Sequence, residues 1–238
     1  MKLSKRLETV VSCVTPGMSV IDVGCDHAYV SVELAARGIS PAVIASDIVD
    51  GPLAAAEIHI AESGMREKIT VLKSDGIPKE YGKYLQEPVS AVICGMGGLL
   101  ICRILEEAGD ALKGITELVL SPQRDQAEVR VLMTEKGYLI DEEIFLEDAG
   151  KYYTVIRGRR SDSCPPLSEA EKRFGPVLIR KKDPGLHDFL SRRLKEQELI
   201  LARVASLEGH EDRAEELRRE NEYLREALAA MQQVSDAD

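Results

Sequence analysis

The stretch Ser19-Val20-Ile21-Asp22-Val23-Gly24-Cys25-Asp26-His27-Ala28-Tyr29 constrains the fold more than any other part of the chain. A short, mostly apolar run carries a carboxylate near its end, a glycine turn follows, and a helical pattern extends from Ala28 through Arg37. Strand, tight turn and helix in that order is how a doubly wound α/β sheet presents a nucleotide-like ligand at the carboxyl end of its first strand. Glycine at position 24 suits a backbone that bends sharply or lies close to a ligand. The dinucleotide fingerprint G-x-G-x-x-G asks for three glycines. Those places hold Gly24, Asp26 and Tyr29. Asp26 would stand where a pyrophosphate lies and would repel it. S-adenosylmethionine has no phosphate and carries a sulfonium and an ammonium, so an acidic turn containing Asp22 and Asp26 matches it by charge. Taken alone, the motif also fits an ordinary βα turn without a ligand.

The elements that follow extend the same architecture. Residues 2–13 have helical apolar spacing, expected to pack across the sheet edge. Residues 41–47 read as a second strand ending in Asp47, where this fold places an acid that holds the cofactor's ribose hydroxyls; a helix cap is the alternative. Asp50-Gly51-Pro52 opens a helix to about Ser63, and 69–72 reads as the third strand. Asp75-Gly76 after it places an acid to accept from an adenine amino group, or forms a simple Asp-Gly turn. The nearly continuous apolar run 88–95 is expected of a parallel strand covered on both faces. It leads into Gly95-Met96-Gly97-Gly98, whose glycines let backbone groups line a site at the end of the fourth strand, facing the transferred methyl group in class I methyltransferases. A fifth strand at 116–121, a helix at 127–136 and an antiparallel pair at 138–146 and 152–157 complete the expectation. Residues 1–157 form a Rossmann-like, seven-stranded, mostly parallel sheet of the class I S-adenosylmethionine-dependent methyltransferase type. Its cofactor contacts are Asp22, Gly24, Asp26, His27, Asp47, Asp75, Gly76, Gly95, Met96 and Gly97.

Composition narrows the class. Five cysteines at 13, 25, 94, 102 and 164 make an odd count without C-x-x-C spacing, which speaks for reduced thiols in the cytoplasm. The histidines at 27, 59, 187 and 210 lack metal-ligand spacing, so no metal is expected. No signal-peptide pattern opens the chain, and no apolar run approaches bilayer length, so no membrane partner is expected. The net charge of −10 hides a pattern. Residues 157–203 carry 12 basic and 7 acidic residues, between two acidic segments. Arg180-Lys181-Lys182 and Arg192-Arg193 are the densest parts of this block, which a phosphate backbone would feel within about 8 Å.

Past the polar linker 158–166, Leu186, Phe189, Leu190, Leu194, Leu201, Val204 and Leu207 are spaced mostly by three or four. Gly209-His210-Glu211-Asp212 interrupts, and Leu217, Tyr223, Leu224, Leu228 and Met231 resume the pattern. Residues 158–238 therefore read as an antiparallel helical hairpin, or as a coiled coil joining two copies. The dense Glu and Arg of 211–226 read as a solvated helix face.

Asp22-Val-Gly-Cys-Asp-His-Ala-Tyr29, Val49-Asp-Gly-Pro52, Gly95-Met-Gly-Gly98, Ser121-Pro-Gln123 and Phe174-Gly-Pro176 occur in this order, and through them the chain resembles the bacterial TrmK family of tRNA (adenine-22-N1)-methyltransferases. The resemblance spans nearly the whole chain. It implies a class I methyltransferase domain with an appended helical coiled-coil domain, S-adenosylmethionine as cofactor, and methylation at N1 of an adenine in the tRNA D-arm. The chain departs at Ser121-Pro-Gln123, where a Gln-Pro-Asn or similar sequence is common in the family. That difference bears on target-base contact more than on cofactor binding. N1 has an in-plane lone pair and need not lose a proton, so alignment and hydrogen bonds to the adenine edge can carry the reaction. Watson–Crick pairing hides N1, so the base must be unpaired or extruded and held by stacking. Tyr29, Asp26 and His27 are the candidate catalytic residues, their roles undivided. Arg180, Lys181, Lys182, Arg192 and Arg193 are the candidate tRNA contacts. A methyltransferase of small molecules or proteins, or a non-catalytic cofactor-binding module, are the competing readings.

Overall fold

A computed structural model describes residues 3–205 and 210–232. The chain divides into two compact units, Met1–Pro165 and Pro166–Asp238.

In the first unit, β1 (Ser19–Val23), β2 (Val43–Asp47), β3 (Ile69–Lys73), β4 (Val89–Cys94), β5 (Ile115–Ser121), β6 (Tyr138–Asp148) and β7 (Lys151–Arg160) form one sheet. Its order is β3-β2-β1-β4-β5-β7-β6. The first five strands are parallel, and β7 runs antiparallel to both β5 and β6. All of β1 and the first five residues of β4 are buried, as expected of mostly apolar strands covered on both faces. The strand order reverses between β1 and β4, and this is the point where open α/β sheets leave a ligand crevice.

Helices α2 (Tyr29–Ala36), α3 (Asp50–Ser63), α4 (Gly98–Glu107) and α5 (Gln126–Glu135) follow β1, β2, β4 and β5. The N-terminal helix α1 (Lys5–Cys13) lies against β5, β6, β7 and α2, on the antiparallel side of the sheet. Its own N-cap and contacts to the sheet and to the end of α2 fix it. Ser4 Oγ accepts from Leu7 N at 3.3 Å, the Arg6 backbone N donates to Asp148 Oδ2 at 3.0 Å, and Glu8 Oε2 accepts from Arg37 Nη2 at 2.8 Å.

The expected boundary at 157/158 falls inside β7. Gly158, Arg159 and Arg160 remain paired in the sheet. The arginine charges do not end the strand because acceptors meet them: acids for Arg157 and Arg159, and the Lys136 and Leu112 carbonyls for Arg160. Arg157 donates to both Asp141 carboxylate oxygens at 3.0 and 3.1 Å, and Arg159 Nε lies 3.6 Å from the buried Glu117.

The second unit holds two short helices ahead of the expected hairpin. α6 (Glu169–Phe174) opens on a capping box between Ser168 and Glu171, and α7 (Pro176–Arg180) starts at a proline. α8 (Pro184–Val204) and α9 (Glu211–Gln232) pack along each other, and α6 and α7 pack on α9. The buried stripe of α9 is Ala214, Leu217, Asn221, Leu224, Ala227 and Met231, spaced by three or four as one helix face demands. Leu207 and Gly209, which the sequence places in the hairpin and its turn, lie outside the described residues.

Candidate active site

A cleft of about 490 Å³ opens at the carboxyl ends of β1 to β4. Ligand pockets generally run from about 300 to 1,000 Å³. Its floor is Asp22, a β1 residue that is 2% exposed. Asp22 Oδ2 accepts a 2.6 Å hydrogen bond from Ser31 Oγ on α2. Burial pushes the Asp22 carboxyl up to about 6; the Ser31 hydrogen bonds oppose the rise, and the charge of Asp47 adds to it.

The turn after β1 is clasped by the end of β2. Gly24 N and Cys25 N both donate to Ser46 O, at 2.8 and 3.0 Å. Gly24 has φ +71°, and a Cβ there would stand 2.7 Å from Met96 Cε. The left-handed backbone favours glycine, while the Met96 methyl is the end of a flexible side chain that can give way. Asp47 at the end of β2 ties two loops together. Its Oδ1 accepts from Val49 N at 3.0 Å and its Oδ2 from Asp26 N at 3.4 Å. Each oxygen retains a lone pair for a ligand hydroxyl. Beyond β3, Asp75 Oδ1 lies 3.6 Å from Arg103 Nη2, with both side chains more than half exposed.

Two loops build the far wall. Gln123, after β5, donates from its backbone N to Met96 O at 3.0 Å and from Nε2 to Gly95 O at 2.8 Å. Gly98 N donates to Arg124 O at 3.0 Å. A Cβ on Gly98 would collide with the backbone oxygens of Asp125 and Arg124, so the third glycine of the GMGG run serves close packing of α4 on this loop. Ile48 and Leu100 bring exposed apolar surface to the cleft lining, and Leu99 stands exposed beside Leu100.

Most of the residues singled out in the sequence come together here. Asp22, Gly24, Asp26, Tyr29, Asp47, Asp75, Gly76, Gly95 and Met96 line the cleft. His27 and Gly97 do not. The flanking residues Asp26 and Ala28 have left-handed backbone, φ 51° and 57°. The His27 ring stacks on Tyr29 at 5.5 Å between centroids, and its carbonyl accepts from His59 Nδ1 at 2.8 Å. Tyr29 is thus held between two imidazoles, with His59 edge-on at 4.9 Å. Gly97 caps α4 and lies under the Arg124 side chain.

The sequence reading did not name Arg6, Leu7 or Arg103 as site residues and gave Gln123 only within the Ser121-Pro-Gln123 stretch tied to target-base contact; all four line the cleft. Arg6 comes from an element remote from the glycine turn and belongs to no motif, whereas Gln123 closes the Ser121-Pro-Gln123 stretch. Cys25 and Cys94 also border the site. Burial raises both thiols, Cys94 to about 12, so they stay protonated and supply no thiolate.

In the second unit, Arg180, Lys181, Lys182, Arg192 and Arg193 are all exposed, at the end of α7 and in the first half of α8. Glu198 is engaged by Arg225 at 2.7 Å. Among the described residues no group of three or more His, Cys, Asp or Glu could hold a metal ion. No described helix is long and apolar enough to cross a membrane.

The cleft's donor set fits S-adenosylmethionine. Asp22 and Asp26 offer carboxylates to its cations, Asp47 has lone pairs for a diol, and the buried Arg6 Nη1 has no hydrogen-bond partner and can receive an anion. Comparison with known proteins agrees. The model of the TrmK family, tRNA (adenine(22)-N(1))-methyltransferase, matches residues 20–233. The tRNA (adenine(22)-N(1))-methyltransferase of Bacillus subtilis is 31% identical over 235 residues, covering 96% of this chain and 98% of its own. A Streptococcus pneumoniae protein solved in complex with S-adenosyl-L-methionine superposes with a TM-score of 0.82 at 31% identity, covering 95% of this chain and 100% of that one. A Listeria monocytogenes protein superposes with a TM-score of 0.88 at 28% identity, again over 95% of this chain and 100% of that one.

Proposed function

The chain belongs to the TrmK family, and from that membership we propose that it methylates N1 of adenine 22 in the D-arm of tRNA, with S-adenosylmethionine as methyl donor. The observation that carries the reading is the acidic cleft at the sheet's switch point, with Asp47 bridging the turns after β1 and β2. The family match runs through the helical unit as well as the sheet. That favours tRNA over a small-molecule or protein substrate, which would leave the helical unit without a role.

Bound S-adenosylmethionine supplies a methyl group on a sulfonium, an electrophile that needs no further activation. The residues' part is to hold and align. Asp47 takes the ribose hydroxyls. Asp75 and Gly76 border the adenine. Asp22, Gly24 and Asp26 surround the amino-acid end, and Gly95 and Met96 face the transfer point. Adenine N1 attacks with its own lone pair, so no general base is required. Gln123 keeps one amide N–H and its Oε1 beyond its bond to Gly95. That donor–acceptor pair matches the N6/N7 edge of adenine and leaves N1 free. Tyr29, braced by His27 and His59, offers a face for stacking. The basic residues of α7 and α8 hold the RNA backbone, and the work is done in the cytoplasm, where tRNA and reduced thiols coexist.

Calorimetry and a methyl-transfer assay test this together. S-adenosylhomocysteine should bind and NAD should not, and label from S-adenosylmethionine should enter tRNA. Tighter binding of NAD, or label entering protein and not tRNA, would contradict the reading.

A further inference from the structure

S-adenosylmethionine has two cations and one carboxylate. The cleft provides for the cations through Asp22 and Asp26, and neither can receive the carboxylate. Two arginines line the cleft. Arg103 lies toward Asp75 and Glu107, at 3.6 and 3.8 Å. Arg6 forms no carboxylate ion pair among the described residues. Its guanidinium carbon sits 5.4 Å from the centre of the Tyr153 ring, and its charge opposes the burial-driven rise of the Cys94 thiol. Its Nη1 is buried without a hydrogen-bond partner and would lie 3.7 Å from a Cβ built on Gly95. A buried guanidinium N–H without an acceptor is costly, and its placement in a ligand cleft is accounted for when the ligand brings the acceptor.

We propose that Arg6 is the receptor for the α-carboxylate at the methionine end of the cofactor, which makes α1 a wall of the cofactor site. The proposal rests on the S-adenosylmethionine reading above. It assigns a task to an element outside every glycine motif. α1 is fixed to the antiparallel edge by the Arg6 backbone bond to Asp148, and the Tyr153 ring on β7 supports the guanidinium from behind. The cleft is thereby divided by charge. Carboxylates stand along the ends of β1 and β2, and the cation stands at the end of β4. A ligand carrying both an ammonium and a carboxylate is oriented in one direction only. A guanidinium suits this position because it keeps its charge when buried and offers two parallel N–H groups to a carboxylate.

The test is binding of two ligands to the full chain and to Arg6→Met and Arg6→Lys, with thermal melts to confirm folding. S-adenosylhomocysteine has the carboxylate, whereas 5′-methylthioadenosine shares its adenine, ribose and sulfur but lacks the amino-acid end. Arg6→Met should weaken S-adenosylhomocysteine by about ten- to a hundredfold and leave 5′-methylthioadenosine within about twofold. Arg6→Lys should recover part of the loss. Equal weakening of both ligands would show that Arg6 only supports the cleft wall and would overturn the proposal. Unchanged S-adenosylhomocysteine affinity, with a raised KM for tRNA, would overturn it in favour of an RNA phosphate as the anion. Failure of S-adenosylhomocysteine to bind the unaltered chain would instead sink the cofactor reading itself.

Discussion

At the scale of single residues, the cleft concentrates strain in its carboxylates. Asp22 titrates near 6 in the folded chain against about 3.8 unfolded, because burial disfavours its charge. Between those values the folded state binds a proton that the unfolded state has lost. Stability therefore falls as pH rises from about 4 to 6, by on the order of 3 kcal/mol, and the cost persists above 6. Asp22→Asn keeps an acceptor for Ser31 and removes this cost. Its melting temperature should exceed that of the unaltered chain by a margin that widens from pH 4.5 to 7, while cofactor affinity falls. A margin independent of pH would show that Asp22 is not ionised in the fold. Asp47→Ala should weaken S-adenosylhomocysteine about ten- to a hundredfold, the worth of hydrogen bonds to a charged acceptor. Unchanged affinity in calorimetry would reduce Asp47 to a loop tie. Asp22 and Asp47 were legible because each ends an apolar run. Arg6 was not, since only the packing of α1 against β5, β6 and β7 brings it to the cleft. The pairing of His27 with Tyr29 and His59 was not legible, since His59 comes from α3, 32 residues away.

At the scale of elements, the five parallel strands were readable within a residue or two from their buried apolar runs. β7 was cut short after Arg157 because Arg159 and Arg160 resemble a linker until Glu117 and Asp141 are placed beside Arg159 and the Leu112 and Lys136 carbonyls accept from Arg160. The helices α6 and α7 escaped because they are short, although the Ser168-x-x-Glu171 capping box was a readable start signal. In the hairpin, the leucine spacing marked α8 and α9 but not the polar layer between them. Asn221 is fully buried with neither amide atom bonded, and Gln197 is buried with its Oε1 unpartnered while Nε2 donates to Glu220 at 2.7 Å. Buried polar residues of this kind fix helix register at a cost in stability. Asn221→Leu should raise the stability of the helical unit by about 1–3 kcal/mol, read as a higher melting temperature. A lower one would reveal that the amide is satisfied in solution.

At the scale of the whole molecule, charge is sorted along the chain. A net acidic sheet unit carries the cofactor cleft, and the proposed phosphate contacts lie in the basic stretch through α7 and α8. Each phosphate contact releases counterions, so tRNA affinity should fall with salt at a log–log slope of about −0.7 to −0.9 per contact. Reversing Lys181, Lys182, Arg192 and Arg193 to glutamate should abolish tRNA binding and leave S-adenosylhomocysteine affinity intact. Wild-type methylation rate and salt dependence in that variant would place the RNA elsewhere. The central claim joins cofactor, base and atom, and one measurement addresses all three. Unmodified tRNA is incubated with the protein and methyl-deuterated S-adenosylmethionine, digested, and mapped by mass spectrometry with chromatographic separation of N1- from N6-methyladenosine. The account predicts the deuterated methyl group on N1 of adenine 22 and its loss when that base is replaced by guanine. A methyl group on another atom or another nucleotide, or no transfer by a protein that binds S-adenosylhomocysteine, would contradict it.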